Sequence, residues 1–417
     1  MPTDVRVYSP TPVAARKPSL GFIFVTLFLD ILGIGLIIPI LPKLVEQFRG
    51  GSVEAASSTF GLLAALYSLM QFLCAPLLGS LSDRFGRRPV ILGSLLGSGL
   101  DYFLLAFAPN LAWFFAGRII AGITGANFAA ATAYIADISP PERRAANFGL
   151  IGAAFGLGFI AGPALGGLLG DVGLRVPFLV AGALTLLNWL YGWFVLPESL
   201  ADQNRRAFSW GRSNPVGALL ALRRHRMAFG LASSYFLIVL AHQVLPSTWV
   251  LYTSYRYGWN VRQTGLSLAV VGLMAAIVQG GLTRVIVPKL GEEKSVTIGL
   301  IIAALTYAGY GLAPAGWMVF VILVVGSLSG ITGPAVQGLI SRGVDANEQG
   351  AVQGALTSLA SVAGIIGPPI ATGLFGFFIS AAAPVKMPGA AFFCSAVLVT
   401  IAMLLAQRSF QRQQRGS

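Results

Sequence analysis

The sequence predicts an all-α membrane protein in which twelve transmembrane helices form two similar six-helix bundles. Three observations carry this prediction: the composition, the number of long apolar segments and an internal repeat. Of the 417 residues, 55% are hydrophobic and only 10% are charged, whereas soluble domains carry about 25% charged residues. Such a composition excludes an ordinary soluble domain and indicates a chain that lies in lipid.

Twelve segments of the sequence are long enough to cross a bilayer. A hydrocarbon core about 30 Å thick requires about 20 apolar residues per helix. Breaks such as Pro109-Asn110 and Pro314-Ala315 are so short that neighbouring spans must be antiparallel. The first span is too long for a signal-peptide core, so we expect it to be retained. The spans are predicted to begin near residues 20, 57, 89, 110, 144, 175, 226, 262, 294, 315, 350 and 388.

The basic residues are divided unequally between the two sides of the predicted membrane. With the N-terminus placed inside, 21 of the 28 Lys and Arg residues fall on the inner side and six on the outer side, while Arg118 lies within a span. This is the positive-inside pattern, so both termini are expected in the cytoplasm of a multi-pass protein of the cell inner membrane. The net charge of +13 therefore reports topology. The lipid bilayer, and no nucleic acid, is the expected partner.

The two cysteines offer no covalent or metal framework. Cys74 and Cys394 both lie inside predicted spans, so neither a disulfide pattern nor a CxxC metal site is present. We expect both to be small packing residues, and we expect no metal site in the protein.

An internal repeat divides the chain into two halves. The longest polar stretch, residues 198–225, separates the sixth span from the seventh, and a constant offset of 205 residues superposes landmarks on either side of it. Parallel six-span repeats of this kind place a substrate site at the midplane between the halves. The superposed pairs are Gly86 with Gly291, Gly149 with Gly354, Gly162 with Gly367 and Pro163 with Pro368. The predicted domains are a cytoplasmic tail (1–19), a first six-helix bundle (20–197), a cytoplasmic linker (198–225), a second six-helix bundle (226–408) and a cytoplasmic tail (409–417).

Three charged residues lie within the predicted spans, all of them in the first half. At 1.5 Å per residue, Asp30 and Asp101 lie roughly 15 and 18 Å from the inner side, and Arg118 lies roughly 12 Å from the outer side. In a core about 30 Å thick, the three residues share one depth. A charge at the bilayer centre costs about 2.5–3.5 kcal/mol on the most lenient scale, so each should face the bundle interior and find a partner.

Two interpretations of these charges stay open. The first is a buried structural ion pair between Arg118 and one carboxylate. The second is proton coupling, because one cation cannot neutralise two carboxylates. Burial favours the neutral form of the surplus acid and Arg118 favours its charged form, so a site opened alternately to each side would load and release a proton. Asp30 is the first choice for this proton site, and Asp101 is the second.

Several motifs resemble those of one transporter family. GSLSDRFGRRPV (79–90), between spans two and three, strongly resembles the signature loop of the major facilitator superfamily. GRIIAGITGA (117–126) resembles its fourth-span motif, and GLGFIAGPALGG (156–167) resembles its fifth-span antiporter motif. The segments LDILGIGLIIPILP, SGLDYFLLAF, TWVLYTSYRYGWN and QGAVQGALTSLASVAGIIGP resemble the tetracycline-resistance-like drug/proton antiporter branch. The resemblance covers nearly the whole chain and implies the twelve-helix major facilitator fold, with two pseudo-symmetric six-helix bundles.

The loop motif carries the candidate gate residues Gly79, Asp83, Arg84, Gly86, Arg87 and Arg88. Because the loop lies at the membrane surface, its arginines could serve topology alone. The resemblance instead implies a cytoplasmic gate, in which Asp83, Arg87 and Asp137 at the end of span four hold the two halves together when the cavity faces outward. The corresponding loop of the second half, VPKLGEEK, has Pro288 at the position of Asp83, so the gate is expected to be asymmetric.

The fifth-span motif places glycines at a spacing that lets helix backbones approach closely. Gly158 with Gly162, and Gly162 with Gly166, are four residues apart. Gly167 ends the motif, and Pro163 is expected to bend the helix. The motif lacks a preceding strand, so a nucleotide-binding site is disfavoured. The resemblance adds a role in preventing proton leak.

The candidates for substrate binding are Gln71, Asn127, His242 and Gln279. The three amides could bind substrate or simply bridge helices, and the histidine could carry a proton or be a hydrogen-bonded packing residue. The chain departs from the family at two positions of the second half. Ala303 stands where the antiporters carry an Asp in span nine, and Ala275 stands where they carry a His in span eight.

The expected function is proton-coupled export of tetracycline-like or other amphipathic drugs by alternating access, with the chain acting as a monomer. The proton gradient is the expected driving force, because no GxxxxGK(S/T) loop for ATP is present. No cofactor and no catalytic residue are expected, although a chelating drug would carry a divalent cation with it. The alternative is a transporter of the same fold for another solute, either a metabolite exporter or a proton symporter.

Two further classes of protein, a membrane enzyme and a receptor, are alternatives to a transporter. A membrane enzyme is disfavoured, because only His225 and His242 are available as bases and no GxSxG elbow is present. A receptor would bind its ligand without moving protons.

Overall fold

The computed structural model describes residues 20–125, 128–140, 143–206, 226–342 and 349–416. Within these ranges twelve helices are long and apolar enough to cross a membrane, and no β-strand is formed. Each helix begins within four residues of its predicted start, so the predicted all-α membrane fold is confirmed. The helices are α1 (Leu20–Phe48), α2 (Val53–Phe85), α3 (Arg87–Ala106), α4 (Leu111–Ile138), α5 (Asn147–Val172), α6 (Val176–Val195), α7 (Gly230–Tyr257), α8 (Val261–Leu290), α9 (Glu292–Leu312), α10 (Gly316–Ile340), α11 (Val352–Ile379) and α12 (Ala390–Gln411). Asn127 and residues 207–225 of the predicted linker lie outside the described residues.

Polar side chains determine where several helices begin. Ser52 and Asn110 cap α2 and α4, accepting backbone N–H hydrogen bonds at 3.2 and 3.1 Å. Asn260 and Gln263 form a reciprocal capping box at the start of α8. Such caps satisfy backbone N–H groups that have no partner inside the helix, so each short hairpin can end one span and start the next.

Two helices are interrupted at corresponding positions of the repeat. The first consists of Leu20–Ile37 and Leu41–Phe48. The seventh consists of Arg226–His242, which begins four residues before the apolar span α7, and Val244–Tyr257. The offset of 205 residues places the end of the first segment of α1 on the end of the first segment of α7. The interruption of α1 contains Pro39. Proline has no backbone N–H to donate, so the hydrogen bonding of the helix is broken there. The shared interruption supports the predicted duplication.

The first half (α1–α6) contacts the second half (α7–α12) mainly through α2 against α11 and α5 against α8. We call the face at which α1 begins the basic face, and the face that holds Lys43 and Asn110 the opposite face. Near the opposite face, Gly61 of α2 is so close to α11 that an added Cβ would clash with the Thr372 hydroxyl. Nearer the basic face, the same test at Gly79 of α2 finds no atom within 4 Å. The halves therefore meet near the opposite face, and the space between them opens to the basic face.

Candidate functional site

The three charged residues predicted within spans come together in the interior of the first half. Nη2 of Arg118 lies 3.9 Å from Oδ2 of Asp101, and only 9% and 1% of the two side chains are exposed. This distance is short enough for an ion pair but too long for a hydrogen bond. Asp30 is also buried, and the Tyr102 hydroxyl lies within electrostatic reach of Asp30, Asp101 and Arg118. We call Asp30, Asp101, Arg118, Tyr102 and Tyr67 the charge cluster.

Tyr67 links this cluster to a predicted substrate-binding residue. The Arg118 guanidinium lies 5.7 Å from the centre of the Tyr67 ring, which is a cation–π contact. The Tyr67 hydroxyl accepts a hydrogen bond from Nε2 of Gln71 at 2.8 Å. Gln71 thus lies at the edge of the cluster, on the half-buried side of α2. Sequence reasoning missed both tyrosines, although Tyr67 precedes Gln71 by one helical turn and Tyr102 is next to Asp101.

Glycines in the fourth-span motif make room for this cluster. A Cβ added to Gly117 would lie 2.8 Å from Oδ1 of Asp101 and 2.6 Å from a methyl carbon of Leu105. A Cβ at Gly125 would lie 3.0 Å from both the Tyr67 hydroxyl and Nε2 of Gln71. Only small residues therefore let α4 approach α2 and α3 closely enough to place Arg118 beside Asp101.

A second set of charges lies at the basic face, where the loop motif joins α2 to α3. The Arg87 side chain is buried and pairs with both Asp83 and Asp137, with its Nε 3.1 Å from Oδ2 of Asp137. Nη1 of Arg87 also donates to the Ser82 hydroxyl at 2.8 Å. All four residues belong to the first half. Asp83 is 42% exposed at its side chain.

Glu198, which sequence reasoning missed, fixes the same loop from the start of the predicted linker. Its carboxylate accepts backbone N–H hydrogen bonds from Arg87 at 2.9 Å and Arg88 at 3.2 Å. These are unpaired donors at the positive end of α3, where a carboxylate is stabilising. Gly86, at φ +105°, would collide with the Glu198 carboxylate if it carried a Cβ. The position of Glu198 directly after the end of α6 is the signal that could have identified it.

The other arginines of the loop lie beside aromatic rings. The Arg84 guanidinium is 5.0 Å from the ring centre of Phe85, and that of Arg88 is 5.8 Å from the ring of Trp193. Trp193 and Phe85 are about half exposed, as expected of aromatic residues at a membrane interface. These contacts fit the topological interpretation of Arg84 and Arg88.

The fifth-span glycines pack α5 against α1. A Cβ on Gly162 would lie 2.6 Å from Cα of Gly35, and a Cβ on Gly158 would lie 2.6 Å from a methyl carbon of Ile31. At Gly166 a Cβ would clash with the backbone of Leu36. The sequence predicted the close approach, and the structure identifies α1 as the neighbouring helix.

The last glycine of this motif points to the other half of the protein. A Cβ on Gly167 would lie 3.0 Å from the Val261 carbonyl oxygen and 3.3 Å from Cα of Gly265, both in α8. Pro163 lies inside a continuous helix, Arg144–Val172, and a Cβ on Gly265 would clash with its carbonyl oxygen. The motif therefore packs α5 against α1 on one side and against α8 on the other.

The polar candidates of the second half, His242 and Gln279, lie on α7 and α8. His242 is at the interruption of α7, with Nδ1 3.3 Å from the Tyr307 hydroxyl, which is the contact expected of a hydrogen-bonded packing residue. Gln279 is exposed and belongs to a π-helical turn, Val278–Leu282. Asn127, the remaining candidate and a residue of the first half, lies outside the described residues.

In the part of the chain that the structure describes, twelve spans form two halves that meet near one face, and the first half holds buried charges within its spans. This arrangement is that of a membrane transporter. The chain belongs to the Major Facilitator Superfamily, which it matches over residues 23–368. The predicted superfamily is thereby confirmed.

Known proteins place the chain within one branch of this superfamily. It is 44% identical to the tetracycline resistance protein, class C, of Escherichia coli over 354 residues, which cover 84% of this chain and 88% of the relative. It is 37% identical to the class B protein of Escherichia coli, with 93% and 96% covered. Among solved structures, the human organic anion transporter MFSD10 (TETRAN) matches 93% of this chain and 98% of its own, with a TM-score of 0.69 and 27% identity. The predicted tetracycline-resistance-like branch is confirmed.

Proposed function

We propose that the protein is a proton-coupled exporter of tetracycline-like or other amphipathic drugs and works by alternating access. The observation that carries the proposal is the buried charge cluster, in a chain 44% identical to a tetracycline resistance protein. Ionisable side chains inside membrane spans are costly and commonly mark ion or proton pathways. The driving force is accordingly the proton gradient, with no further cofactor.

Asp30 is the proposed proton carrier. Arg118 lies at ion-pair distance from Asp101, but one guanidinium cannot neutralise two carboxylates. The net charge of the cluster therefore changes when one carboxylate is protonated, and Asp30 is the first choice for that proton. A charged Asp30 can bind either a proton or a cationic group of the drug, so the proton and the drug compete for the state of the transporter in which Asp30 is charged. This competition is what antiport requires, since either ligand alone allows the halves to change orientation.

The drug is proposed to bind between the halves, beside the charge cluster. Gln71 is the best placed of the predicted substrate-binding residues, because it bonds to Tyr67 of the cluster and lies on a half-buried stretch of α2. The space next to it opens to the basic face, so a drug would enter from that side. A chelating drug would bring a divalent cation as part of the substrate.

The basic face is proposed to be cytoplasmic, with the chain a monomer in the cell inner membrane. The unequal distribution of Lys and Arg supports this orientation. Asp83, Arg87 and Asp137 are proposed to close the basic face in the outward-facing state. In the present conformation Arg87 pairs with both aspartates inside the first half, and the Asp83 side chain stays 42% exposed.

The proposal is tested with purified protein in liposomes that carry an imposed pH gradient and an internal pH dye. Adding a tetracycline, and then other amphipathic drugs, is expected to trigger proton movement against drug movement. Empty liposomes and a variant with Asp171, an exposed acid at the end of α5, replaced by Asn serve as controls. If no drug moves protons, drug/proton antiport is rejected.

A second function, transport of a different small solute by the same fold, is favoured by one comparison. The human relative with 27% identity is described as an organic anion transporter, and Ala303 and Ala275 replace two polar residues of the antiporter branch. The same liposomes separate the two functions through the direction of transport. Uptake of an organic anion together with protons would favour symport over drug export.

A further inference from the structure

Among the residues that the structure describes, two side-chain hydrogen bonds cross between the halves near the opposite face. Nζ of Lys43, in the last segment of α1, contacts the Ser254 hydroxyl near the end of α7. The Ser57 hydroxyl of α2 donates to the Thr372 carbonyl oxygen of α11 at 2.8 Å, in a buried position. Both bonds must break when the opposite face opens, because each joins one half to the other.

Lys43 has a second partner that belongs to its own half. Its Nζ lies 2.8 Å from Oε2 of Glu46, and both side chains are only 17% exposed. An ammonium group has three donors, so it can serve Glu46 and Ser254 together. When the halves separate, Glu46 keeps Lys43 paired, and the bond to Ser254 breaks without leaving an isolated buried charge. The contact is therefore suited to repeated opening and closing.

We propose that Lys43 is the latch of the opposite face, holding that face closed while the cavity is open to the basic face. The latch acts through a charged donor and a neutral hydroxyl, whereas the charges at the basic face form ion pairs around Arg87. The proposed gates at the two faces thus use different chemistry. This inference does not depend on the identity of the substrate or on proton coupling.

Lys386 provides a matched control. It is a lysine on the same face, but its Nζ donates to the carbonyl oxygens of Ile379 and Ser380, which belong to its own half. Its removal deletes the same charge from the same face without deleting a contact between the halves.

The test measures distances between spin labels at Val172 and Val385, two exposed positions on the opposite face that belong to different halves. The labels are attached to cysteines introduced at these two positions, in a background in which Cys74 and Cys394 are replaced by alanine. Without substrate or a pH gradient, Lys43→Met is expected to raise the population with the longer distance several-fold, and Lys386→Met is expected to leave it unchanged.

Ser254→Ala distinguishes loss of the contact between the halves from a local effect of the Lys43 substitution on α1. This variant keeps the pair of Lys43 with Glu46 and removes only the bond between the halves, so it should shift the distances in the same direction as Lys43→Met. If Lys43→Met leaves the distances unchanged, or if Ser254→Ala does not reproduce its shift, the latch is refuted. Failure of drug transport would leave this measurement unaffected, which keeps the two proposals distinguishable.

Discussion

Arg118 lies 3.9 Å from Asp101, Nη2 to Oδ2, between α4 and α3 in the interior of the first half. Within the described residues, neither carboxylate oxygen of Asp101 has a hydrogen-bond partner. The buried carboxylate is therefore compensated chiefly by the charge of Arg118 rather than by hydrogen bonds. Since burying an unpaired charge is far more costly than burying a pair, the two residues should depend on each other for stability.

Replacing Arg118 alone is expected to destabilise the protein strongly. Arg118→Gln leaves the Asp101 carboxylate buried without its cation, which typically costs about 3–5 kcal/mol. The double variant Arg118→Gln with Asp101→Asn removes both charges and should recover most of that loss. Tryptophan fluorescence during thermal unfolding in detergent measures both effects. If the double variant is no more stable than the single one, the pair does not account for the cost.

Asp30→Asn is expected to abolish proton-driven drug transport while leaving the fold intact. Asparagine has nearly the shape of aspartate but cannot exchange a proton, so the net charge of the cluster would stay constant throughout the cycle. The measurement is drug-triggered proton movement in liposomes, with unfolding temperature as the check on folding. Uphill drug transport by Asp30→Asn at the normal rate would eliminate Asp30 as the proton carrier.

Asp101→Asn provides the comparison within the same cluster. It removes the partner of Arg118 and should therefore lower stability as well as transport. An Asp30→Asn variant that lost stability to the same extent would indicate a structural role for Asp30.

Sequence alone was sufficient to predict the spans and the three charged members of the charge cluster, for physical reasons that do not require a structure. A bilayer sets the length of each helix, and a charge within a span must find a partner at its own depth. Asp30, Asp101 and Arg118 were therefore identified together, although their order of pairing was left open. Tyr67 and Tyr102 were not predicted as members of the cluster, because aromatic side chains are common in membrane spans and give no specific signal.

Contacts that join distant segments could not be predicted in this way. Glu198 is 111 residues from Arg87, and Lys43 is 211 residues from Ser254. The first contact depends on how α6 ends beside α3. The second depends on how the two halves are placed against each other, which the repeat does not fix.

Asp83→Asn is expected to lower the transport rate more than the apparent affinity for substrate. Asp83 pairs with Arg87 at the basic face and is 42% exposed at its side chain. It is more than two helical turns away from Gln71 and Tyr67 along α2. Its loss should disturb closure of the basic face without touching the drug. Initial rates at several drug concentrations separate the two parameters. A normal maximal rate with weakened affinity would contradict a gating role.

Arg84→Gln is the control for this prediction, because Arg84 lies in the same loop but stacks on Phe85 and forms no part of the set around Arg87. Its rate should stay close to that of the parent protein. A loss equal to that of Asp83→Asn would mean that the loop responds to any change of charge.

Gly162→Ala is expected to destabilise the protein by about 1–3 kcal/mol, the usual cost of overpacking a tight contact. The added methyl group would lie 2.6 Å from Cα of Gly35, and a backbone atom cannot move aside as a flexible side chain can. Gly152→Ala, in the same helix but with no atom within 4 Å of its Cβ position, should leave stability unchanged or raise it slightly, because alanine favours a helix over glycine by about 1 kcal/mol. Thermal unfolding of both variants in one detergent measures the difference. Equal melting temperatures would show that α1 and α5 do not depend on the close approach of Gly35 and Gly162.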